Sequence, residues 1–223
     1  MDFIDYPDRE MLVSDLANKL AGELRSALEH EERVLMAVPG GTTPGPIFDD
    51  LCAADLDWSR VDVMLTDERW VPEDSARSNT RLLRERLLVN RAAAASYLPL
   101  YLPCKEPEER IAELETNILP RLPIQVLLLG MGADMHTASL FPGADRLEDA
   151  LSPKAPVLMA MRAPGAPEPR ITLTAPVLDG AMSKHIVIFG EEKRAALDKA
   201  RQSLPEEAPV AAVLSQASVH WAP

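Results

Sequence analysis

The sequence has few cysteines and no long apolar segment, and each absence excludes a class of protein. Its 223 residues include only two cysteines, Cys52 and Cys104, which are too few and too far apart for a disulfide framework or a zinc site built from cysteine pairs. No apolar run reaches the roughly 20 residues that a membrane span requires. The N-terminal segment MDFIDYPDRE is acidic, whereas a signal peptide begins with basic and then apolar residues. We therefore expect a soluble cytoplasmic protein with reduced thiols.

Positive charge is also scarce. Lysines and arginines total 23 against 35 aspartates and glutamates, so the net charge is −12. This balance argues against nucleic acid and against an anionic membrane as partners. It does not exclude a small anionic ligand, because charges more than about 8 Å apart are screened at physiological salt, and a few clustered cations can still hold a phosphate.

The apolar residues follow the periods of helices and buried strands. Leucines at every fourth position from Leu12 to Leu28 predict a helix over about 8–31. An α/β fold is predicted, with one mostly parallel sheet, helices on both faces and a single domain over 1–223, because buried strands alternate with helices. The predicted strands lie at 33–38, 61–66, 124–129, 156–161, 170–174, 185–190 and, as an edge strand, 218–222. The other predicted helices lie at about 44–54, 78–90, 107–118 and 191–201.

Polar residues follow three of these strands, at the sheet edge where α/β proteins bind ligands. The loop at 39–46 contains glycines and threonines before a helix, which favours an anion, although a plain structural turn is an equally good explanation. The loop at 67–79 is rich in charged residues, for which a solvated surface loop is the commoner explanation. Ser78 in this loop is well placed to cap the next helix.

The third loop, GMGADMHTASLFPG at 130–143, contains a histidine. We expect a short helix after its glycines, capped by Asp134 or Thr137 and ended by Pro142. His136 would then lie near a positive helix end, which lowers the pKa of the imidazole and keeps it neutral, as a general base must be. A lone histidine is more often structural, but a position directly after a buried strand favours a chemical role.

Four segments together resemble the family of 6-phosphogluconolactonases and glucosamine-6-phosphate deaminases. They are GGTTP, TDERWVP followed by SN, GMGADMHTASLFPG and PRITLT, and the resemblance extends over about 34–200. The histidine segment is the most specific of the four. The resemblance implies a modified Rossmann-like fold of the glucosamine-6-phosphate deaminase kind. It also implies hydrolysis of 6-phospho-D-glucono-1,5-lactone, the second step of the oxidative pentose phosphate pathway.

The family pattern also implies site residues at the matching positions. His136 becomes the acid/base residue, and either Asp67 or Asp134 orients it. Either Arg69 or Arg77 stabilises the oxyanion. The substrate- and phosphate-binding candidates are Gly40, Gly41, Thr42, Thr43, Arg77, Asn79, Arg170 and Lys193. For two of them a structural explanation is the alternative: Arg170 would cap a strand end, and Lys193 would lie on a solvated helix face.

Water is the expected nucleophile, and no cofactor and no metal are expected. The sequence has no G-x-S-x-G nucleophile elbow and no short zinc motif such as H-E-x-x-H. The expected partner is therefore a small phosphorylated sugar lactone. The sequence leaves open whether the protein is a monomer or a homodimer.

Two alternative functions are weaker. A deaminase of this family has a glutamate that supports its histidine, and the aligned residue here is Phe141, which cannot orient an imidazole by hydrogen bonding. A sugar-phosphate-responsive effector domain would need a DNA-binding module, and no spare basic segment is present.

The chain departs from the family at Met135, where glycine is more common. A positive φ at a methionine costs roughly 1–2 kcal/mol, so either the turn differs or packing of the thioether compensates.

Overall fold

The computed structural model describes residues 1–223 and contains seven α-helices and ten strands. In chain order they are β1 (Asp2–Asp5), α1 (Arg9–Leu28), β2 (Val34–Val38), α2 (Gly45–Leu51), β3 (Val61–Leu65), β4 (Asp67–Arg69), α3 (Asn79–Arg86), β5 (Ser96–Leu98), α4 (Ile111–Ile118), β6 (Val126–Gly130), α5 (Leu147–Leu151), β7 (Leu158–Met161), β8 (Arg170–Leu173), α6 (Ala175–Asp179), β9 (Ser183–Phe189), α7 (Glu191–Ala200) and β10 (Ser218–Ala222). Short 3-10 helices occur at Trp58–Arg60, Asn90–Ala94, Pro107–Glu109, Leu119–Arg121 and Pro209–Val213.

Seven strands form a parallel sheet in the order β1-β10-β9-β6-β2-β3-β5. Every residue of β2 and β3 is buried, as expected for strands covered on both faces. The predicted α/β fold is therefore confirmed. The chain continues from β2 to β3 and β5, and then returns to β6 on the other side of β2. The carboxyl ends of β2 and β6 thus form a topological switch point, where ligands of such sheets bind.

The predicted strands at 156–161 and 170–174 are present, but their assignment to the parallel sheet was wrong. They are β7 and β8, which belong to a separate three-stranded antiparallel sheet in which β8 pairs with β4 on one side and with β7 on the other. Strand β4 lies in a segment predicted as a loop. The pairs Asp67–Thr172 and Arg69–Arg170 join residues about a hundred positions apart, and no local apolar pattern reports such a pairing. The short strands β1 and β5 were not predicted either. Because β1 pairs outside β10, the strand at 218–222 is not the edge strand that was expected.

Helix α1 confirms the leucine stripe, since Leu12, Leu16, Leu20, Leu24 and Leu28 are all buried. The buried apolar side chains form one contiguous cluster. Both cysteines are free. None of the helices combines the length and the apolar character needed to span a membrane.

A chain of hydrogen-bonded polar groups, buried at Tyr6, His185 and His220, connects α1 to β9 and β10. The Tyr6 hydroxyl donates to Asp15 at 2.6 Å and lies 3.0 Å from Nδ1 of His220. Nε2 of His220 lies 3.0 Å from Nδ1 of His185, whose Nε2 lies 2.8 Å from Glu23. Because the Tyr6 proton is given to Asp15, Nδ1 of His220 is the donor to Tyr6, and its Nε2 accepts from His185.

We expect His220 to make the protein sensitive to acid. Burial, and secondarily the nearby His185, lowers the pKa of His220 to about 3, whereas an unfolded histidine has a pKa of about 6.5. Between these values the unfolded chain binds a proton that the folded chain does not. The free energy of unfolding should therefore fall by about 1.4 kcal/mol per pH unit as the pH drops through this window.

Urea unfolding of the wild type and of His220→Gln at pH 7, 6 and 5 measures this contribution. The variant should lose less stability per pH unit than the wild type. The exposed His30, replaced in the same way, is the matched control and should keep the wild-type slope. Equal slopes for all three proteins would show that His220 does not govern the acid sensitivity.

Candidate active site

A cavity of about 230 Å³ lies at the carboxyl ends of β2, β3 and β6. It is lined by ten of the twelve residues that the sequence indicated: Gly40, Gly41, Thr42, Thr43, Asp67, Arg69, Asn79, His136, Arg170 and Lys193. A larger cavity of about 810 Å³ at the amino ends of the strands contains none of them. The smaller cavity is therefore the candidate active site.

His136 is oriented by Asp134. Nδ1 of His136 lies 2.5 Å from Oδ1 of Asp134, and the same oxygen accepts the backbone N–H of His136 at 3.1 Å. The side-chain hydrogen bond from His136 is the main cause that lowers the pKa of Asp134, and the backbone hydrogen bond acts in the same direction. An ionised carboxylate can only accept, so in the neutral imidazole the proton sits on Nδ1 and Nε2 keeps its lone pair. Asp134, rather than Asp67, is thus the carboxylate in contact with His136.

The short helix predicted after β6 is absent. Residues 131–146 form turns, and the next helix, α5, begins only at Leu147. Tight turns close this segment: the Met135 N–H donates to the Gly132 carbonyl, and the Gly132 N–H donates to the His136 carbonyl. A helix dipole therefore does not act on His136. Gly132 is required because a Cβ there would lie 2.3 Å from the imidazole.

Two residues beside the histidine have left-handed backbones, Met135 with φ of 69° and Ala138 with φ of 48°. The Met135 side chain is 7% exposed and belongs to the hydrophobic core. Packing of the thioether therefore offsets the backbone cost, which is the second of the two possibilities expected for this position. Ala138 is only partly buried and has just one methyl group, so its packing does not offset the cost of its left-handed backbone to the same extent.

These two positions should respond oppositely to glycine. Ala138→Gly removes the left-handed strain and should raise the free energy of unfolding by about 1 kcal/mol, or the Tm by about 2–4 °C. Met135→Gly relieves similar strain but deletes a buried side chain worth about 2–5 kcal/mol, so the protein should become less stable. Thermal unfolding of both variants measures the difference, and a stabilised Met135→Gly would disprove the packing argument.

Asp67 follows the carboxyl end of β3 and has different partners from Asp134. Its carboxylate accepts from the hydroxyl of Ser139 at 2.6 Å and from that of Thr66 at 3.2 Å. Arg170 reaches the carboxylate at 3.9 Å, because β4 and β8 are paired. Burial lowers the pKa of Arg170, and its Nε is buried without a hydrogen-bond partner. Arg170 therefore lines the cavity and keeps one unused hydrogen-bond donor.

The structure distinguishes the two arginines of the 67–79 loop. Arg69 lines the cavity, with Nε free of partners and NH1 donating to the Arg77 carbonyl at 2.7 Å. Arg77 does not line the cavity, since its guanidinium makes two hydrogen bonds to Glu168, of 2.9 and 2.6 Å. The hydrogen bonds from Arg77 lower the pKa of Glu168. Of the two, only Arg69 is available to a ligand in the cavity.

The glycine loop lies against Asn79. Gly41 has φ of 84°, a conformation that favours glycine. A Cβ on Gly40 would lie 2.1 Å from the side chain of Asn79, so only glycine fits there. The Asn79 amide in turn donates to the Asp67 carbonyl at 3.1 Å. Ser78 accepts from the Arg81 N–H at the start of α3, which confirms its predicted cap.

Sequence reasoning missed three contributors to the site. Ser139 holds Asp67, and Phe141 packs between His136, at 4.4 Å between ring centroids, and Arg170, at 5.2 Å. Glu68 is buried beneath the cavity and accepts five hydrogen bonds. Glu68 lies within a segment that the sequence predicted as a charged loop, and its adjacency to Asp67 at a strand end was the available signal.

The geometry defines an α/β protein with a cationic cavity at the switch point of its sheet and a carboxylate–histidine pair on the rim. The sequence profile described as glucosamine-6-phosphate isomerases/6-phosphogluconolactonase matches residues 7–221. The chain belongs to this family.

Relatives within the family share much of the sequence. A 6-phosphogluconolactonase of Pseudomonas aeruginosa is 43% identical over 93% of this chain and 89% of its own. One from Rhizobium meliloti is 40% identical over 98% and 97%. The crystal structure of a 6-phosphogluconolactonase from Shewanella baltica superposes with a TM-score of 0.96 at 33% identity, covering 100% of this chain and 98% of that one.

The fold extends to the deaminase branch. A monomeric glucosamine-6-phosphate deaminase superposes with a TM-score of 0.79 at 16% identity, covering 100% of this chain and 97% of that one. This likeness concerns the fold alone.

Proposed function

We propose that the protein hydrolyses 6-phospho-D-glucono-1,5-lactone to 6-phospho-D-gluconate, the second step of the oxidative pentose phosphate pathway. The observation that carries the proposal is the Asp134–His136 pair, at 2.5 Å, on a cavity that also contains Arg69, Arg170 and Lys193. The names of the bacterial relatives support the same reaction.

His136 acts as the general base in this proposal. His136 lines the cavity and its Nε2 makes no hydrogen bond within the protein, so Nε2 can take a proton from water as the water attacks the C1 carbonyl. The same imidazole then returns the proton to the ring oxygen as the ester bond breaks. Asp134 keeps the other ring proton on Nδ1 and stabilises the imidazolium that forms between the two steps.

Arg69 stabilises the oxyanion that develops at C1, because this arginine lines the cavity and its Nε has no hydrogen-bond partner within the protein. Donors placed at a developing charge are worth roughly 3–4 kcal/mol in other enzymes. The phosphate is bound by Gly40, Gly41, Thr42 and Thr43 together with Arg170 and Lys193, and Asp67 and Asn79 complete the substrate site. Arg77 supports Arg69 through its carbonyl and does not contact the phosphate itself.

The deaminase alternative is less well supported. The residue at the position of the deaminase glutamate is Phe141, whose ring packs against that of His136. A phenyl ring accepts no hydrogen bond of the kind that orients an imidazole. The carboxylate that performs this task here comes instead from Asp134, two residues before the histidine.

A direct assay tests the proposal. The lactone is generated in situ, and its disappearance is followed with and without the protein, with glucosamine 6-phosphate as the competing substrate. We expect faster loss of the lactone and no release of ammonia from glucosamine 6-phosphate. Ammonia release without lactone hydrolysis would assign the protein to the deaminase branch.

Other expectations stay predictions. They are a single domain over 1–223, which the one contiguous core supports, a cytoplasmic location, and the absence of a metal, a cofactor and nucleic-acid or membrane partners.

A further inference from the structure

We propose that Glu68 is a positioning residue, a buried carboxylate that fixes Arg69 and Asn79 at the cavity by binding both ends of the 69–79 segment. The inference rests on the proposed lactonase function for its kinetic consequence, and on the hydrogen bonds of Glu68 for its structural one.

The carboxylate of Glu68 is fully buried and receives only donors. Oε1 accepts the N–H groups of Arg69 at 2.7 Å and Asn79 at 2.8 Å. Oε2 accepts the N–H and the hydroxyl of Thr80, both at 2.8 Å, and the hydroxyl of Ser78 at 3.1 Å. Burial raises the pKa of this carboxyl, and the hydrogen bonds oppose the rise. Because no lysine or arginine pairs with Glu68, these five hydrogen bonds and the N-terminus of α3 stabilise its charge.

These bonds connect two residues that line the cavity. Arg69 begins the segment and Asn79 ends it, and one oxygen of Glu68 accepts from both backbones. Asn79 in turn contacts two other parts of the site: its side-chain amide donates to the Asp67 carbonyl, and its side chain fills the space beside Gly40. The buried carboxylate of Glu68 thus fixes the backbone position of Arg69, the arginine proposed to stabilise the oxyanion. Through Asn79 it also supports the glycine loop.

Glutamine cannot replace this group without loss. Each oxygen of Glu68 accepts at least two hydrogen bonds. Glutamine replaces one of the two carboxylate oxygens with an NH2 group. That group would face at least one backbone N–H, and two donors cannot form a hydrogen bond with each other. Glu68→Gln keeps the volume of the side chain, so the lost hydrogen bonds are the main change.

The kinetic test is a double-mutant cycle with Arg69. We expect Glu68→Gln to lower kcat by about 10- to 100-fold in the wild-type background, and by less than about 3-fold when Arg69 is already alanine. A purely structural role would give the same fold-loss in both backgrounds, which would overturn the proposal. Glu73→Gln is the matched control, since Glu73 lies in the same segment but pairs on the surface with Arg84, and its kcat should be unchanged.

A milder variant covers the case in which Glu68→Gln does not fold. Thr80→Val removes one of the five hydrogen bonds to Glu68, together with the hydrogen bond between the Thr80 and Tyr97 hydroxyls, and keeps the charge and shape of Glu68. It should lower kcat by about 3- to 10-fold, again only when Arg69 is present. An equal loss with and without Arg69 would reject the positioning role.

A measurement independent of activity separates this inference from the proposed function. Amide hydrogen exchange of Arg69 and Asn79 should be at least about 10-fold faster in Glu68→Gln than in the wild type. In Thr80→Val the same acceleration is expected for Asn79. Leu128 in β6 should keep its protection in both variants. A wild type that does not hydrolyse the lactone would contradict the proposed function, and the exchange rates would still decide the role of Glu68. Unchanged exchange at both residues would overturn that role.

Discussion

Replacing His136 with asparagine should reduce kcat for lactone hydrolysis by about 10²- to 10⁴-fold, the usual contribution of a general base. Asparagine is similar in size and can hydrogen-bond to Asp134, but it cannot accept a proton from water. The loss should appear in kcat more than in KM, because the missing step is proton transfer rather than binding.

The measurement requires subtraction of the uncatalysed hydrolysis, which accelerates as pH rises. Circular dichroism and binding of 6-phosphogluconate should match the wild type, showing that the fold and the site are intact. His30→Asn is the matched control, because His30 is exposed and lines the cavity at the opposite edge of the sheet. If His136→Asn keeps most of its activity, the proton goes elsewhere, and Asp67 is the next base to test.

Replacing Arg170 with alanine should weaken the use of the phosphorylated lactone far more than that of plain gluconolactone. Arg170 is largely buried, its Nε has no partner, and its ion pair with Asp67 is long at 3.9 Å. A hydrogen bond to a charged group contributes about 1.5–3 kcal/mol, or about 10- to 150-fold in kcat/KM. Only the phosphorylated substrate presents a dianion, so only its kcat/KM should fall to this extent.

Arg77→Ala provides the comparison for Arg170→Ala. Its guanidinium is bound to Glu168 and does not line the cavity, so both substrates should change by less than about 3-fold. Equal losses for the two lactones in Arg170→Ala would show that Arg170 stabilises the fold or a loop. A loss specific to the phosphorylated lactone in Arg77→Ala would restore Arg77 as a phosphate ligand.

Errors in the sequence-based prediction have identifiable physical causes. The helix expected after β6 is absent because two left-handed residues, Met135 and Ala138, close the segment into tight turns. An alanine and a methionine carry no sequence signal for that conformation. Strand β8 was assigned to the wrong sheet because its partner, β4, lies about a hundred residues earlier.

The sequence by itself determined the parallel α/β framework and the residues at its ligand-binding edge. Apolar periodicity reports burial locally, as for α1 and β2, and the GMGADMHTASLFPG segment is enough to single out His136 as the candidate base. Only the tertiary structure decided how these residues are used. The pairing of β4 with β8 brings Arg170 close to Asp67. The hydrogen bonds between Arg77 and Glu168 hold the Arg77 guanidinium outside the cavity. Both outcomes depend on contacts about 90–100 residues apart in sequence, which form only when the chain is packed and leave no trace in local composition.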